Sequence, residues 1–386
     1  MNVVFLSPHF PLNFFHFCVR LREAGANVLG IADEPWDRLR PELRAALSEY
    51  YWVSDMHHYD ELLRGLGHLT FRHGKLDRLD SMSEHWLETE ARLREDFNIA
   101  GLRPADMGRV KRKSEMKRTF ERVGIRVARG RVCPDAVSTL AFVREVGFPV
   151  VAKPDVGVGA ASTYKIGNER ELESFLAARP PGDFMVEEFV EGDIVTYDGL
   201  TDREGRVVFD ASLRYSRGIM EVVNEDSDVW YYTERFIPED LAAAGRALVG
   251  AFGVRERFFH FEFFRVAGGG LVALEVNVRP PGGLTLDMWN YQNDMDVYRE
   301  WANLLVKGRV ETAPTRPWFC AYVGRKSRYR YALGLEEVLA RYGPLIVHHE
   351  RVDDVFSAAI GNYGFILRSP ELGSLAEAAQ AIQRKA

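Results

Sequence analysis

Cysteine is scarce in this chain: Cys18, Cys133 and Cys320 are the only three in 386 residues, far apart and without a Cys-x-x-Cys pair. That excludes a disulfide framework and a thiolate zinc site, and the three read as buried, reduced thiols. Long hydrophobic runs are also missing. No apolar stretch approaches the roughly 18 residues of a membrane span, and Met1-Asn2 runs straight into an apolar strand with no basic leader. The expectation is therefore a cytoplasmic protein without signal peptide or membrane contact. Positive charge is not in excess, since the net charge is −6 and the pI near 6.0. A general nucleic-acid binder is excluded, because no large positive field is available to attract a phosphate backbone. Any phosphate must be met by local groups. The N-terminal region has no Gly-x-Gly-x-x-Gly, and the glycine-rich segment farther on lacks the Gly-Lys-Thr/Ser of a Walker A loop.

What remains is an ordinary globular composition, 46% hydrophobic, in a chain long enough for two or three domains at roughly 100–200 residues each. The segment from Phe258 to Leu284 concentrates the chemistry. Two apolar runs flank Ala267-Gly268-Gly269-Gly270 and read as an antiparallel hairpin. Glu262 lies in the first strand. In the second, alternation puts Glu275, Asn277 and Arg279 on one face and Val276 and Val278 on the other. Burying unpaired carboxylates costs several kcal/mol, and a hard divalent cation would neutralise them. Glu and Asn oxygens suit Mg²⁺ completed by phosphates, and an adjacent Arg suits a transferring phosphoryl group. A solvated hairpin face with Glu275 paired to Arg279 is the alternative that the hairpin alone leaves open.

The chain opens with a βαβ pattern: an apolar strand Val3–Leu6, a helix from Phe14 to Glu23 ending at Gly25, and a second strand Asn27–Ile31 ending near Asp33. Loops at the carboxyl ends of such strands are where open α/β sheets place ligands, which makes His9 and Asp33 candidates. For His9, a histidine satisfied within its own loop is the favoured reading. Residues 56–100 read as helical, with Glu84, Glu88 and Glu90 on a solvated face, and Leu102-Arg103-Pro104 marks a boundary. A basic cluster, Lys111-Arg112-Lys113-Ser114-Glu115-Met116-Lys117, then opens a helix with Ser114 as a candidate cap, either as a solvated helix start or with a lysine facing phosphate. Next, the strand Pro149–Lys153 delivers one Lys to a loop of Gly, Ala and Ser whose backbone N–H groups can approach an anion. Phe184–Asp193 is a strand that turns abruptly acidic, and the polar stretch Leu213–Thr233 is long enough to be a functional loop.

In this order, from Lys113 to Met288, the motifs Lys-x-x-Met-Lys, Lys-Pro before a Gly-rich loop, Glu-Glu-Phe-Val-Glu-Gly, an upstream Glu, and Glu-x-Asn-x-Arg-x-x-Gly-Gly resemble the ATP-grasp superfamily, in particular its carboxylate-amine ligases. The resemblance implies a mixed α/β (α+β) chain with an ATP-grasp fold: a Rossmann-like pre-ATP-grasp domain at 1–105, the ATP-grasp domain at 106–311, and a small C-terminal α/β cap at 312–386. It implies ATP and Mg²⁺. Lys113 and Lys153 would hold the phosphates beneath a lid that includes Gly157, Gly159 and Ser162. The hinge Glu187, Glu188, Phe189 and Val190 would receive adenine, and Asp193 the ribose. Glu262, Glu275 and Asn277 would ligate Mg²⁺, with Arg279 at the γ-phosphate or the acyl phosphate. This loop departs from the family's more usual Gly-Ser-x-Gly, and position 194 is Ile where some relatives carry the ribose-binding acid.

The chemistry agrees with the resemblance. A carboxylate is a poor electrophile until phosphorylation gives it a leaving group, and phosphoryl transfer asks mainly for positioning and charge neutralisation. A glycine-rich lid would exclude water from the intermediate. The favoured function is an ATP-dependent ligase that joins a small-molecule carboxylate to an amine, with ADP and phosphate released. A biotin-carboxylase-like enzyme and a non-catalytic ATP-binding regulatory module are the alternatives. Arg214 and Arg217 are candidate carboxylate clamps, because a guanidinium offers a bidentate fork. A homodimer is compatible with this reading.

Overall fold

The computed structural model describes residues 1–157 and 162–386. Three sheets organise the described residues. The first is parallel, in the order β3-β2-β1-β4, from β1 (Asn2–Leu6), β2 (Asn27–Ala32), β3 (Glu49–Trp52) and β4 (Arg78–Asp80). Val3, Val4, Phe5 and Leu6 are all fully buried, as expected of a strand covered on both faces. β4 interrupts the expected helical stretch. It is only three residues long, too short for periodicity to find, and it pairs with β1.

The second sheet is antiparallel, in the order β5-β8-β6-β7, from β5 (Gly130–Cys133), β6 (Val150–Pro154), β7 (Tyr164–Ile166) and β8 (Phe184–Glu188). The third has nine strands: β9 (Asp193–Thr201), β10 (Val207–Ala211), β11 (Leu213–Tyr215), β12 (Trp230–Thr233), β13 (Phe258–Arg265), β14 (Leu271–Asn277), β15 (Phe319–Arg325), β16 (Ile346–Arg351) and β17 (Tyr363–Ser369). Its order is β14-β13-β9-β11-β12-β15-β17-β16, with β10 also on β9. The strands of residues 312–386 thus extend the same sheet, because β12 pairs with β15 from Trp230↔Val323 to Tyr232↔Ala321.

The stretch Leu213–Thr233 is not one long loop. It folds as β11, a helix Ile219–Asn224 and β12, because its tyrosines are sheet residues: Tyr215 lies 5.1 Å from Tyr231, which stacks on Tyr322 at 5.2 Å. The three cysteines are free and buried, as expected. No helix among the described residues is long and apolar enough to cross a membrane.

Candidate active site

The hairpin β13–β14 forms where it was expected, with β13 laid along β9. Phe259, Phe261 and Phe263 point into a core with Phe252 and Leu248 of the helix Glu239–Phe252 and with Phe120. Period-2 alternation then forces His260 and Glu262 to the opposite face. Cross-strand register adds the rest: Asp198 and Thr196 of β9 lie against His260 and Glu262, and those two lie against Asn277 and Glu275 of β14. This polar face floors a cavity of about 380 Å³. Lys113, Lys153, Glu187, Glu262, Glu275, Asn277 and Arg279 all line it. So do Glu188, Phe189 and Val190 at the end of β8.

The lysines arrive from separate elements. Lys153 stands one residue before the end of β6, and its Nζ lies 2.6 Å from Glu187 Oε2; Lys117 Nζ lies 2.6 Å from the other oxygen of Glu187. Burial opposes the charges on Lys153 and Glu187, but their mutual attraction prevails, holding the lysine above and the carboxyl below their ordinary ranges. Glu187, expected only as part of the hinge, therefore also fixes two lysines with its side chain. Lys113 Nζ lies 3.3 Å from Glu275 Oε1 and donates to Gly157 O at 3.0 Å. Its helix, Lys113–Arg122, is not capped by Ser114. Asp155, from the loop after β6, accepts from the Ser114 N–H at 2.8 Å and from its hydroxyl at 3.0 Å, which ties this helix to the segment that carries Lys153.

His260 is the residue that sequence reasoning missed. Its Nδ1 is 2.7 Å from Asp198 Oδ1 and its Nε2 3.1 Å from Glu262 Oε1. Burial works against its charge, yet the two carboxylates raise its pKa to about 9, which makes it an imidazolium at neutral pH. Burial likewise opposes the charge of Glu262, but His260, Arg279 and Lys153 hold that carboxyl low. The signal was the alternation itself, since His260 is two residues before Glu262 on the same face.

Arg279 donates to Asn277 Oδ1 at 3.4 Å and to Pro280 O at 2.8 Å, and its Nε is 3.8 Å from Glu84 Oε2. Glu84 and Glu90 are thus not on a solvated face; only Glu88 is exposed. Glu84 Oε2 is buried without a hydrogen-bond partner among the described residues, and burial raises its pKa. Glu90 is wholly buried between Arg94 at 2.7 Å and Arg257 at 3.0 Å, and Arg257 also donates to Val278 O. Two arginines, one of them distant in sequence, convert apparent surface acids into interior ones.

Other expected residues lie elsewhere. Asp193 is exposed and pairs with Arg214 at 2.7 Å, and Arg217 pairs with Glu225 at 3.0 Å. None of the three lines the cavity, and ion pairing on the surface occupies the two guanidinium groups intended as clamps. Ser162, with φ of +65°, borders a smaller hollow beside Asp155 and Asp183. Gly159 lies outside the described residues. Asp33 is exposed. His9 is not satisfied within its loop, because its Nδ1 is buried without a partner among the described residues.

The donor set fits Mg²⁺ in a specific sense. Among the described residues no group of three or more His, Cys, Asp or Glu side chains is spaced to hold a metal alone. Two facing carboxylates and an amide oxygen, with lysines alongside, suit an ion completed by phosphate oxygens and water.

Residues 146–287 match the family model described as the ATP-grasp domain. The whole chain superposes on an L-amino acid ligase from Bacillus licheniformis with a TM-score of 0.75 and 14% identity, covering 99% of this chain and 96% of that one. It superposes on N5-carboxyaminoimidazole ribonucleotide synthetase from Thermotoga maritima with a TM-score of 0.68 and 16% identity, covering 100% and 99%. Biotin carboxylase from Campylobacter jejuni gives 0.67 and 13%, covering 97% and 89%. At these identities the likeness speaks for the fold.

Proposed function

We propose that this chain is a member of the ATP-grasp superfamily, whose domain model matches residues 146–287, and an ATP-dependent carboxylate-amine ligase that activates its acid as an acyl phosphate and releases ADP and phosphate. The observation that carries the reading is the single cavity wall on which Lys113, Lys153, Glu262, Glu275, Asn277 and Arg279 converge. A module that only bound nucleotide would need the lysines and the hinge, not two carboxylates opposed across a hairpin.

Lys153, held by Glu187, and Lys113, held near Glu275, supply fixed positive charge for the phosphates. Glu188, Phe189 and Val190 form the rim suited to adenine. The Glu188 and Phe189 N–H groups donate to Arg129 O and Pro149 O, and among the described residues no backbone bond uses the N–H of Val190. Mg²⁺, when held by Glu262, Glu275 and Asn277, would neutralise the end of the triphosphate. Arg279 stands beside that face and would orient the carboxylate for attack on the γ-phosphorus.

The route is tested with a substrate acid labelled with heavy oxygen in its carboxylate. Attack at the γ-phosphorus leaves the attacking oxygen on the phosphoryl group when the amine displaces it, so one label should appear in inorganic phosphate, with ADP as the only nucleotide product. Label in AMP would overturn the mechanism and the role of Arg279. Bicarbonate-stimulated hydrolysis in place of acid-plus-amine stimulation would favour the biotin-carboxylase-like alternative.

A further inference from the structure

A second and larger cavity, about 930 Å³, lies among the loop after β1, the segment after β2, the start of the helix Thr285–Asn293 and β16. Resting on the ligase reading above, we propose that this cavity binds the amine substrate, and that this substrate is a zwitterion of the amino-acid class, its ammonium against Asp287 and its carboxylate toward Arg38.

Asp287 carries the assignment. Its Oδ2 accepts from Asn13 Nδ2 at 2.9 Å, and both of its oxygens lie 3.2 Å from the Tyr298 hydroxyl. Those donors are neutral. Among the described residues no Lys, Arg or His lies within ion-pair distance of it, whereas the neighbouring Glu350 already pairs with His348 at 3.2 Å. Burial pushes the Asp287 pKa up to about 6, so at neutral pH the cavity wall holds an ionised carboxylate without a counter-ion. A carboxylate so placed is stabilised by a cation that enters from the cavity. An ammonium has the donors to use the acceptor capacity left on both oxygens.

A complementary group lines the same cavity. Arg38 lines the cavity, is exposed, and its guanidinium has no hydrogen-bond or ion-pair partner among the described residues. Phe10, Phe15, Leu39 and Leu284 line the same cavity and offer apolar wall for a side chain. Leu284 and Asp287 follow the turn Pro280-Pro281-Gly282-Gly283, which begins at Arg279. Four residues of chain, 280–283, thus separate Arg279 in the lining of one cavity from Leu284 in the lining of the other, and the proposal takes an amine held here to approach an acyl group held at Arg279 across that turn.

Isothermal titration of the full chain with Mg²⁺ and ADP present, using the common L-amino acids and their decarboxylated amines one at a time, tests this. The parent should bind at least one amino acid. Asp287→Asn should weaken both that amino acid and its amine about ten-fold or more, with ADP affinity unchanged. Arg38→Ala should weaken the amino acid and leave the amine's affinity as it was. If Asp287→Asn lowers the melting temperature sharply, the Arg38→Ala arm decides alone, because Arg38 is exposed and holds nothing. Binding that ignores both variants, or no binding of any amino acid or amine by the parent, overturns the proposal. The ligase reading fails separately: ligand binding that obeys the variants without acid-dependent ADP release leaves the pocket standing, whereas ADP release with an amine KM indifferent to Asp287→Asn leaves the ligase and removes the pocket.

Discussion

Glu262 and Glu275 are direct cross-strand partners on β13 and β14, two carboxylates in register on the face that floors the cavity of about 380 Å³. Like charges placed opposite each other on a sheet destabilise it, and here each borrows a cation: Glu262 from His260 at 3.1 Å, Glu275 from Lys113 at 3.3 Å.

Glu275→Gln should therefore change the stability of the metal-free fold by no more than about 1 kcal/mol, because relief of the opposed charges offsets the lost pairing with Lys113. Turnover should fall by roughly two orders of magnitude, the scale of one lost preorganised electrostatic contact, and added Mg²⁺ should no longer raise the melting temperature in the presence of nucleotide. Magnesium-dependent turnover within a few-fold of the parent would remove the hairpin from the metal site.

Lys153→Ala removes one charge-assisted contact and should weaken ATP binding by about 1.5–3 kcal/mol. Glu187→Gln should raise the ATP KM as well, since it loosens Lys153 and Lys117 together. Equal nucleotide affinity in Lys153→Ala and the parent, read by titration, would remove that lysine from the phosphate site.

The Asp198–His260–Glu262 cluster ties stability to pH. The folded-state pKa of His260 is raised from 6.5 to about 9, so its stabilising contribution is complete below the unfolded value and is lost as pH rises from there through about 9. Thermal melts of the metal-free protein should show stability falling across that window, and His260→Gln should flatten this part of the profile. A parent profile identical to that of His260→Gln between those limits would contradict the assignment of an imidazolium.

Glu90 joins Arg94 and Arg257 in the interior, 0% exposed against 2% and 5% for the arginines. Removing one partner of a buried pair leaves uncompensated charge at about 3–5 kcal/mol, so Glu90→Ala should lower denaturant stability by about that amount. Because Arg257 also holds Val278 O beside Arg279, the folded fraction should show a raised KM. A loss under 1 kcal/mol would show that the arginines find other partners.

Elements whose signals are local were legible in the sequence. Alternation along Phe258–Arg265 and Leu271–Asn277 sets which side chains share a face, because a strand has period 2 whatever surrounds it. Lysine at the end of an apolar run, Lys153, is likewise a local pattern, and its place in the cavity follows from the strand that carries it. Tertiary structure alone decided what depends on partners distant in sequence. Glu90 reads as a surface acid until Arg257, 167 residues later, meets it. Arg214 reads as a free clamp until β9 brings Asp193 to it across 21 residues. Asp287 carries no local signal, and only the meeting with Asn13, 274 residues earlier, places its carboxylate at the wall of a cavity. The reason is electrostatic: the charge state and role of a carboxylate are set by burial and by the nearest cation or donor, and neither is written in the residues that flank it.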